Sequence, residues 1–394
     1  ARALVGSEGT CVTVLEATVR LIAAPKARVL LALGFADIFA AADTVMDVPA
    51  AGPIGLEAID EVIVGNLRRK AKLSRALSLL PDGEGWLLVE FGADTAADAE
   101  AAAQRLRAGM RGHRSVRGGT VFTDADEIEQ VWLIRESALG ATSFVPGETA
   151  TWEGWEDAAV PPERLGSYLR EFRRLLNRYG YRGSLYGHFG QGCVHTRTNF
   201  DLETADGIAT FRRYLDEAPD LVVGYGGSLW GEHGDGQARA DLLPRMFGRT
   251  IVGAFREFKQ IWDPDGLMNP GKLVDAYSPT DNLRRPGYQP PAVPTFFPLA
   301  AEGGIAGAAL RCVGVGKCRK SSTGTMCPSY MVTGEEQHST RGRAHLLFEM
   351  LRGETITGGW QSEEVKQSLD LCLACKGCKS ECPVSVDMAS YKAE

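Results

Sequence analysis

The feature that most constrains this chain is a run of cysteines near its C-terminal end. The segment CLACKGCKSECP spaces four cysteines as C-x2-C-x2-C-x3-C and follows the last one with proline. This spacing is typical of ferredoxins, in which the first three thiolates hold one iron–sulfur cluster and the fourth reaches another. A structural zinc site would instead use two separated pairs. The run therefore predicts that Cys372, Cys375, Cys378 and Cys382 bind iron–sulfur clusters, at least one of them [4Fe-4S].

A second cysteine motif lies upstream and is one thiolate short of the usual eight-cysteine pattern. It is spaced C-x5-C-x8-C-P and consists of Cys312, Cys318 and Cys327. If the outer cysteines are exchanged between the motifs, Cys327 joins the first three cysteines of the downstream run, and Cys382 joins the other two upstream ones. The second centre is then a [3Fe-4S] cluster, a cluster with a non-cysteine ligand such as His338, or no cluster. Alternatively, His338 is not a ligand, and the basic segment HSTRGR packs against an anionic cluster.

Composition indicates the compartment and the kinds of partner that suit this chain. Seven of the nine cysteines lie within residues 312–382, which favours metal ligation in a reducing, cytoplasmic compartment over a disulfide framework. The net charge of −7 argues against a nucleic-acid partner. No apolar run approaches the roughly 18 residues of a membrane span, while peripheral contact with the inner membrane face stays open.

The first 280 residues alternate between strand-like and helical patterns. This alternation predicts an α+β or α/β domain. A Pro-rich stretch at 279–298 predicts an extended linker. The expected strands lie at 27–34, 86–92, 119–122, 184–189 and 193–198, and the expected helices at 37–46, 95–109, 124–139, 162–179, 203–217 and 243–262.

Both ends of the chain have the pattern of internal segments of a longer polypeptide. Residues 1–22 combine a Gly-rich turn with an alternating strand pattern, and the last residues, SVDMASYKAE, look helical. We therefore expect further residues of the same polypeptide on both sides.

Three of the six histidines fall in two Gly-rich segments. GHFGQGCVH places His188 and His195 seven residues apart across a predicted strand, turn and strand, and GEHGDG adds Glu232 and His233. Two imidazoles and one carboxylate leave open positions on zinc or a similar divalent metal, as catalysis requires. Any one of these histidines could have an ordinary structural role, but their combination favours a metal site.

The order of the motifs resembles a known family. VGSEGT, WLIRES, GHFGQGCVH, GEHGDG and DPDGLMNPGK occur in the order found in FAD-linked oxidases of the D-lactate and D-2-hydroxyglutarate dehydrogenase type. The C-terminal extension, from CVGVGKC to CLACKGCKSECP, resembles the long bacterial subgroup that joins the flavin enzyme to a ferredoxin-type domain. The resemblance covers nearly the whole chain, and the conjunction of motifs is more specific than any one of them.

The resemblance implies an α+β fold in four parts. Residues 1–22 would be the tail of an FAD-binding domain, and 23–278 the FAD-linked oxidase C-terminal domain, with an antiparallel or mixed sheet and flanking helices. Residues 279–300 would be the linker, and 301–394 a mainly helical, truncated ferredoxin-type domain. The implied partners are a small 2-hydroxy acid, the rest of the polypeptide with most of the FAD site, an unidentified electron acceptor and further copies of the chain.

Residues of the N-terminal turn are implied to approach FAD, because glycines permit close backbone contact. Asn269 in NPGK matches a family position near the flavin. An ordinary structural turn is the alternative at both places. The implied cofactor-binding residues are Gly6, Ser7, Glu8, Gly9, Thr10 and Asn269.

The resemblance also implies a mechanism. A metal on His188, His195 and Glu232 would bind the substrate's α-hydroxyl and carboxylate and lower the pKa of the hydroxyl. His233 would take the hydroxyl proton as general base, and the α-hydrogen would leave as hydride to the flavin, whose electrons pass to [4Fe-4S] clusters. Arg135, at the WxxRE position, would clamp a carboxylate, with a helix-face salt bridge as the alternative.

Four positions bear on the identity of the substrate. The commoner family motif GHxGDGNLH is altered at Gln191 and Cys193, neither of which is an expected ligand. Trp155 stands where dicarboxylate-specific members often carry lysine. Arg197 would then hold the distal carboxylate, or point to solvent. We favour D-2-hydroxyglutarate over D-lactate or glycolate.

Two alternatives come from outside this substrate class. An electron-transfer subunit with a vestigial hydroxy-acid site is disfavoured because all four metal and base residues are present. An ether-forming flavoenzyme of the same superfamily is disfavoured by the ferredoxin extension.

Overall fold

A computed structural model describes residues 2–394, which form two compact units. The first unit contains the residues up to Ala138 together with Thr151–Leu283. The second contains Leu139–Ala150 and Arg284–Glu394. The segment Leu139–Ala150, which the sequence interpretation placed in the substrate domain, therefore packs with the cysteine-rich unit.

A four-stranded antiparallel sheet is the centre of the first unit. Its strands stand in the order β2-β3-β1-β4. The central pair is apolar along nearly its whole length, as expected for strands covered on both faces. The strands are β1 (Ala27–Phe35), β2 (Gly55–Asp60), β3 (Gly85–Ala93) and β4 (Val116–Phe122).

Helices cover this sheet and complete the core. In α7, the buried residues Leu165, Tyr168, Leu169, Phe172 and Leu176 recur every three or four positions, so that one apolar stripe faces the core. The helices of this unit are α1 (Ile38–Asp43), α2 (Glu61–Arg69), α3 (Ser74–Leu77), α4 (Ala96–Gly109), α5 (Ala125–Glu136), α7 (Leu165–Arg178), α8 (Ala205–Gly224), α9 (Gly236–Arg239) and α10 (Leu243–Trp262). The short helix α6 (Ala138–Thr142) belongs, apart from its first residue, to the second unit.

A small second sheet joins the histidine-containing segments. It consists of β5 (Asp157–Ala159) and β6 (Cys193–His195), which pair antiparallel with Asp157 opposite His195. A single bridge between Ala58 and Gly187 connects the neighbouring segment to β2 of the main sheet. These pairings place the GHFGQGCVH motif next to the edge of the main sheet, and a bridge between Ala159 and Ser228 connects the segment before GEHGDG to β5.

Two of the expected strands are wrong. Residues 12–25 form no strand, and side chains such as Leu15 and Ile22 are about nine-tenths exposed. Alternating hydrophobicity does not by itself supply a pairing partner, and none of the described strands pairs with this segment. Residues 184–189 make only isolated bridges, because the turn and a short 3₁₀ segment at Phe189–Gln191 interrupt the ladder.

The second unit is helical, as expected for a ferredoxin-type region. Its core is formed by buried apolar residues that include Leu347, Val386 and Tyr391, together with several of the cysteines. No helix in the described part of the chain is long and apolar enough to cross a membrane. The helices are α11 (Gly304–Leu310), α12 (Pro328–Thr333), α13 (Thr340–Arg352), α14 (Glu363–Asp370), α15 (Gly377–Glu381) and α16 (Met388–Ala393).

Candidate active site

Backbone pairing places His188 beside β2. The amide of Ala58 donates to the carbonyl of Gly187 at 2.9 Å, and the amide of Gly187 donates back to Ala58 at 3.1 Å. Gly187 has φ +139°, and a Cβ there would lie 2.7 Å from the carbonyl oxygen of Cys193. Only glycine fits this crossing, so the first glycine of the motif aligns His188 with its neighbour on the sheet, Glu57.

The second histidine of the motif is aligned by a return pairing. Tyr186 and His195 exchange two backbone hydrogen bonds, of 3.1 and 2.6 Å. The chain therefore folds back between His188 and His195, and their ring centroids lie 5.2 Å apart. The two rings are therefore neighbours, although the segment before the turn pairs only by isolated bridges and is not the strand that the sequence predicts.

Asp157 holds the GEHGDG loop against β6. One carboxylate oxygen accepts from the backbone nitrogens of Gly231, Glu232 and His233 at 2.8, 2.9 and 3.0 Å. The other accepts from the thiol of Cys193 at 3.2 Å. Burial alone would raise the pKa of Asp157, but these donors lower it below its usual value, so the carboxylate stays ionised.

The three histidines converge on Glu232. Its Oε1 atom lies 2.9 Å from His188 Nε2, 3.3 Å from His195 Nε2 and 3.3 Å from His233 Nε2. The rings of His195 and His233 are stacked, with centroids 4.8 Å apart. The predicted ligands His188, His195 and Glu232 and the predicted base His233 therefore share one site.

Two of the imidazoles have a carboxylate on their other nitrogen. His188 Nδ1 is hydrogen-bonded to Glu57, and His233 Nδ1 lies 2.8 Å from Glu156. A carboxylate behind an imidazole orients the ring and fixes its tautomer, which is the usual support for metal-binding and catalytic histidines. This arrangement leaves both Nε2 atoms directed at the centre of the site.

His195 is the buried member of the group. Its side chain is 5% exposed, and its Nδ1 atom lies 3.5 Å from Asp157, too far for a hydrogen bond. Burial lowers the pKa of His195 and keeps the ring neutral, which is the form that binds a metal.

The other two rings are more basic than usual. The hydrogen bond to Glu57 raises the pKa of His188 above 6.5, against the effect of burial. For His233, burial acts to lower the pKa, but Glu156 and the other nearby carboxylates outweigh it, and the pKa is raised. Both rings are therefore good acceptors for a proton or for a cation.

The charge and chemistry of the donor set fit a divalent cation. Nitrogen and carboxylate oxygen atoms are the ligands that zinc and similar ions take in catalytic sites. His188, His195 and Glu232 offer three such atoms close enough to share one ion. The side chains around the imidazoles also carry more negative than positive charge. The carboxylates are those of Glu57, Glu156, Asp157 and Glu232, and the guanidiniums are those of Arg135 and Arg239.

The two predicted substrate arginines are both paired within the protein. Arg135 Nε donates to Glu57 at 2.8 Å, and its guanidinium lies over the ring of Tyr186 at 5.0 Å. This partner lies on β2, so the salt bridge is not on the helix face. Arg197 is 2% exposed and is hydrogen-bonded to Glu153 and Thr151. The alternative in which Arg197 points to solvent is wrong.

The presence of Glu153 removes one argument about substrate. An unpaired buried guanidinium would be costly without a second substrate carboxylate, but Arg197 has a protein carboxylate beside it. Trp155, the residue at the position of the family lysine, is 1% exposed and packs edge-to-face against Tyr214 in the core.

The predicted flavin-binding residues of the N-terminal turn lie next to the same loop. Glu8 accepts from the amides of Asp235 and Gly236 at 2.6 and 2.9 Å. Asn269 donates its side-chain amide to the carbonyl of Glu8 at 2.7 Å. Gly6, Ser7 and Thr10 line a cavity of about 360 Å³ beside the loop.

Three acidic residues of the site were missed by sequence reasoning. Glu57 lies on β2, Glu156 directly precedes β5, and Asp157 is the first residue of β5. Residue types alone give no signal there. The only hint in the sequence is that WED precedes an apolar run. Pairing of this run with β6 brings Glu156 and Asp157 next to the histidines.

In the second unit, the cysteines line two separate cavities. One is lined by Cys327, Cys372, Cys375 and Cys378, and the other by Cys312, Cys318 and Cys382. This is the exchange of outer cysteines that the spacing predicts. Thiols gathered in these numbers fit iron–sulfur clusters.

The basic loop lies against both cavities. Arg341 lines the three-cysteine cavity and donates its backbone nitrogen to Cys318 Sγ at 3.3 Å, while Arg343 lines the four-cysteine cavity. His338 instead interacts with Thr333 at 3.0 Å and lines neither cavity. The packing alternative for the HSTRGR segment therefore fits the structure better than ligation by His338.

The first unit thus carries a three-histidine, carboxylate-supported site, and the second carries clustered cysteines of iron–sulfur type. The chain belongs to the family of FAD linked oxidases, whose C-terminal domain matches residues 24–273. Residues 308–386 match the 4Fe-4S dicluster domain. These matches imply FAD and iron–sulfur clusters as the cofactors.

Curated relatives extend the comparison. The chain is 30% identical over its whole length to D-2-hydroxyglutarate dehydrogenase of Escherichia coli strain K12, and it spans 43% of that protein. It is 31% identical over 69% of its length to D-lactate dehydrogenase of Archaeoglobus fulgidus, and spans 57% of it. It is 28% identical over 69% of its length to glycolate oxidase subunit GlcD of Bacillus subtilis, and spans 56% of it.

Proposed function

We propose that this chain forms the substrate and electron-transfer portion of an FAD- and iron–sulfur-dependent D-2-hydroxy acid dehydrogenase, with D-2-hydroxyglutarate as the favoured substrate. The observation that carries the proposal is the convergence of three imidazole Nε2 atoms on one oxygen of Glu232. Two of the three rings are hydrogen-bonded to a carboxylate through their other nitrogen, which is the usual support for metal-binding and catalytic histidines.

The chain's own residues support a division of roles. His188, His195 and Glu232 would hold a divalent metal of the zinc type. When bound, that metal would supply a Lewis acid for the substrate's α-hydroxyl, and FAD would supply a two-electron acceptor. Arg135 would bind the substrate carboxylate at the face of the site, where its guanidinium is already oriented by Glu57 and Tyr186.

His233 would act as the general base. Glu156 accepts the proton of Nδ1, so that Nε2 is free to take the hydroxyl proton of the substrate. Its ring is about half exposed, unlike that of His195. It is therefore the histidine of the group that a substrate reaches most easily.

The preference for D-2-hydroxyglutarate is supported by full-length similarity. The E. coli dehydrogenase for this acid matches the whole chain, including the cysteine-rich unit. A second candidate is D-lactate or glycolate, because relatives named for these substrates match about two thirds of the chain at similar identity.

The test is a substrate panel on the full-length protein, purified without air and with its flavin and iron quantified. D-2-Hydroxyglutarate, D-lactate and glycolate are compared with the L-enantiomers of the first two by stopped-flow bleaching of the flavin. Fastest reduction by D-2-hydroxyglutarate is expected. Reduction by none of these acids would contradict the proposed activity, and a preference for D-lactate or glycolate would contradict the substrate.

A further inference from the structure

The upstream cysteine motif differs from the downstream one at a single position. In the downstream run, cysteines stand at the first, fourth and seventh positions, as Cys372, Cys375 and Cys378. In CVGVGKC, the first and seventh positions are Cys312 and Cys318, while the fourth is Val315. Valine therefore replaces the second thiolate of an otherwise matching motif.

The structure places Val315 at the corresponding cavity. Val315 lines the same cavity as Cys312, Cys318 and Cys382 and is about 40% exposed. The backbone nitrogen of Arg341 donates to Cys318, and the residues that follow Cys382 also line the cavity. Three thiols thus line this cavity, and the position that matches the missing fourth thiol carries the isopropyl group of Val315.

No other side chain in the described part of the chain supplies the fourth ligand at this cavity. Its lining contains no histidine, carboxylate or fourth cysteine. The hydroxyl of Thr340, which does line it, is 2.8 Å from Cys327 Sγ, a thiol of the other cavity. Met326 is buried in the core of the unit. The four-cysteine cavity, by contrast, offers one thiolate for each iron of a cubane.

We propose that the centre held by Cys312, Cys318 and Cys382 is a [3Fe-4S] cluster in the oxidised protein, and that Val315 covers the corner where a fourth iron would be. Three thiolates match three irons, and an isopropyl group cannot bind another. The matching domain is described as a 4Fe-4S dicluster domain, so this assignment differs from the family description at one of the two centres.

The test uses the full-length protein, purified anaerobically and then oxidised with ferricyanide. An oxidised [3Fe-4S] cluster has a half-integer spin, whereas an oxidised [4Fe-4S] cluster of the ferredoxin type is diamagnetic, so electron paramagnetic resonance distinguishes them. The expected result is a half-integer signal near one spin per chain, with about seven irons from one cluster of each kind.

The Val315→Cys variant restores the missing thiolate. Val313→Cys is its matched control, because Val313 lines the same cavity but stands two residues out of the register of the cysteine motif. The half-integer signal is expected to disappear in Val315→Cys, with the iron content rising to about eight, and to persist in Val313→Cys. If Val315→Cys fails to fold, the spin signal and iron content of the wild-type protein still test the proposal. About eight irons with no half-integer signal after oxidation would overturn the proposal, as would loss of the signal in both variants.

Discussion

The carboxylate of Asp157 accepts a hydrogen bond from the backbone nitrogen of His233 at 3.0 Å, although the two residues are 76 positions apart. The same oxygen also binds the two preceding amides of the loop. One buried carboxylate on β5 therefore sets the position of both Glu232 and His233. This contact couples the proposed ligand and the proposed base to the sheet that carries His195.

Replacement of Asp157 is expected to weaken metal binding without removing a ligand. In Asp157→Asn, the charge that holds three amides is lost, and Glu232 is no longer fixed opposite the histidines. Loss of a supporting residue of this kind typically costs about 10- to 100-fold in metal affinity. Metal content after dialysis against a graded chelator series measures the effect.

Asp201→Asn is the matched control for this experiment. Asp201 also accepts two backbone amides, from Glu203 and Thr204, but lies on an exposed turn before α8. Its replacement is expected to leave metal affinity unchanged. Equal metal retention in Asp157→Asn and wild type would show that the loop does not depend on Asp157.

Removal of the proposed base is expected to slow chemistry but not assembly. His233→Ala should retain flavin and iron, while flavin reduction by the substrate falls at least a hundredfold, since general-base catalysis contributes about 10²–10⁴ in rate. Stopped-flow bleaching of the flavin measures this. His113→Ala, in an exposed loop, serves as the control, and near-normal bleaching in His233→Ala would exclude His233 as the base.

The pH dependence should identify the partner of His233. The nearby carboxylates raise the pKa of His233 against the effect of burial, and the base works only when neutral. The acid limb of kcat/KM is therefore expected above pH 6.5, with activity falling as the pH decreases through it. In Glu156→Gln the pKa of His233 drops, so the acid limb moves to lower pH while the plateau rate decreases.

The control for this shift is Glu163→Gln, which changes an exposed glutamate. Its pH profile should coincide with that of the wild type. If Glu156→Gln moved the acid limb upward, or left it in place, then Glu156 would not be the group that raises the pKa of His233.

The sequence predicted the inner part of the site better than its support. His188, His195, Glu232 and His233 stand in short Gly-rich motifs, where spacing and residue type carry information. Glu57 and Glu156 become neighbours of these histidines only through pairing of distant strands. Such non-local pairings leave no periodic trace in one sequence, so the carboxylates behind the rings could not be found.

The fold shows the same limit. The buried β1 and the amphipathic α10 were predicted almost to the residue, since a continuous apolar run and a 3.6-residue period are local signals. The alternating stretch at 12–22 was misassigned because a strand also needs a neighbour. The division of cysteines between two cavities was predictable, because ferredoxin spacing fixes which thiolates can share a cluster.

Iron content is expected to follow the cysteine motifs. The purified full-length protein should contain non-haem iron and acid-labile sulfide at about four or more irons per chain. Cys375→Ser should lower both, whereas Cys11→Ser, in the first unit, should lower neither. Elemental analysis of anaerobically purified protein checks the prediction. Zinc as the sole metal associated with these cysteines would contradict it.

Arg197 is expected to determine preference between mono- and dicarboxylate substrates. Arg197 follows His195 by two residues, and in an extended segment such residues face the same side. Its partner Glu153 is about half exposed. A substrate carboxylate can therefore displace Glu153 and bind Arg197 in its place. Arg197→Met is then expected to lower kcat/KM for D-2-hydroxyglutarate by about two orders of magnitude or more, the cost of losing a charged hydrogen bond.

Glu153→Gln provides the opposite change at the same place. Without the competing carboxylate, KM for D-2-hydroxyglutarate should fall, while D-lactate, which has only a methyl group at that end, should respond little to either variant. Steady-state kinetics on both acids separates this role from a structural one, because a structural pair between Arg197 and Glu153 would affect both substrates alike. Equal losses on the two acids in Arg197→Met, or a weaker response of D-2-hydroxyglutarate than of D-lactate, would remove Arg197 from substrate recognition.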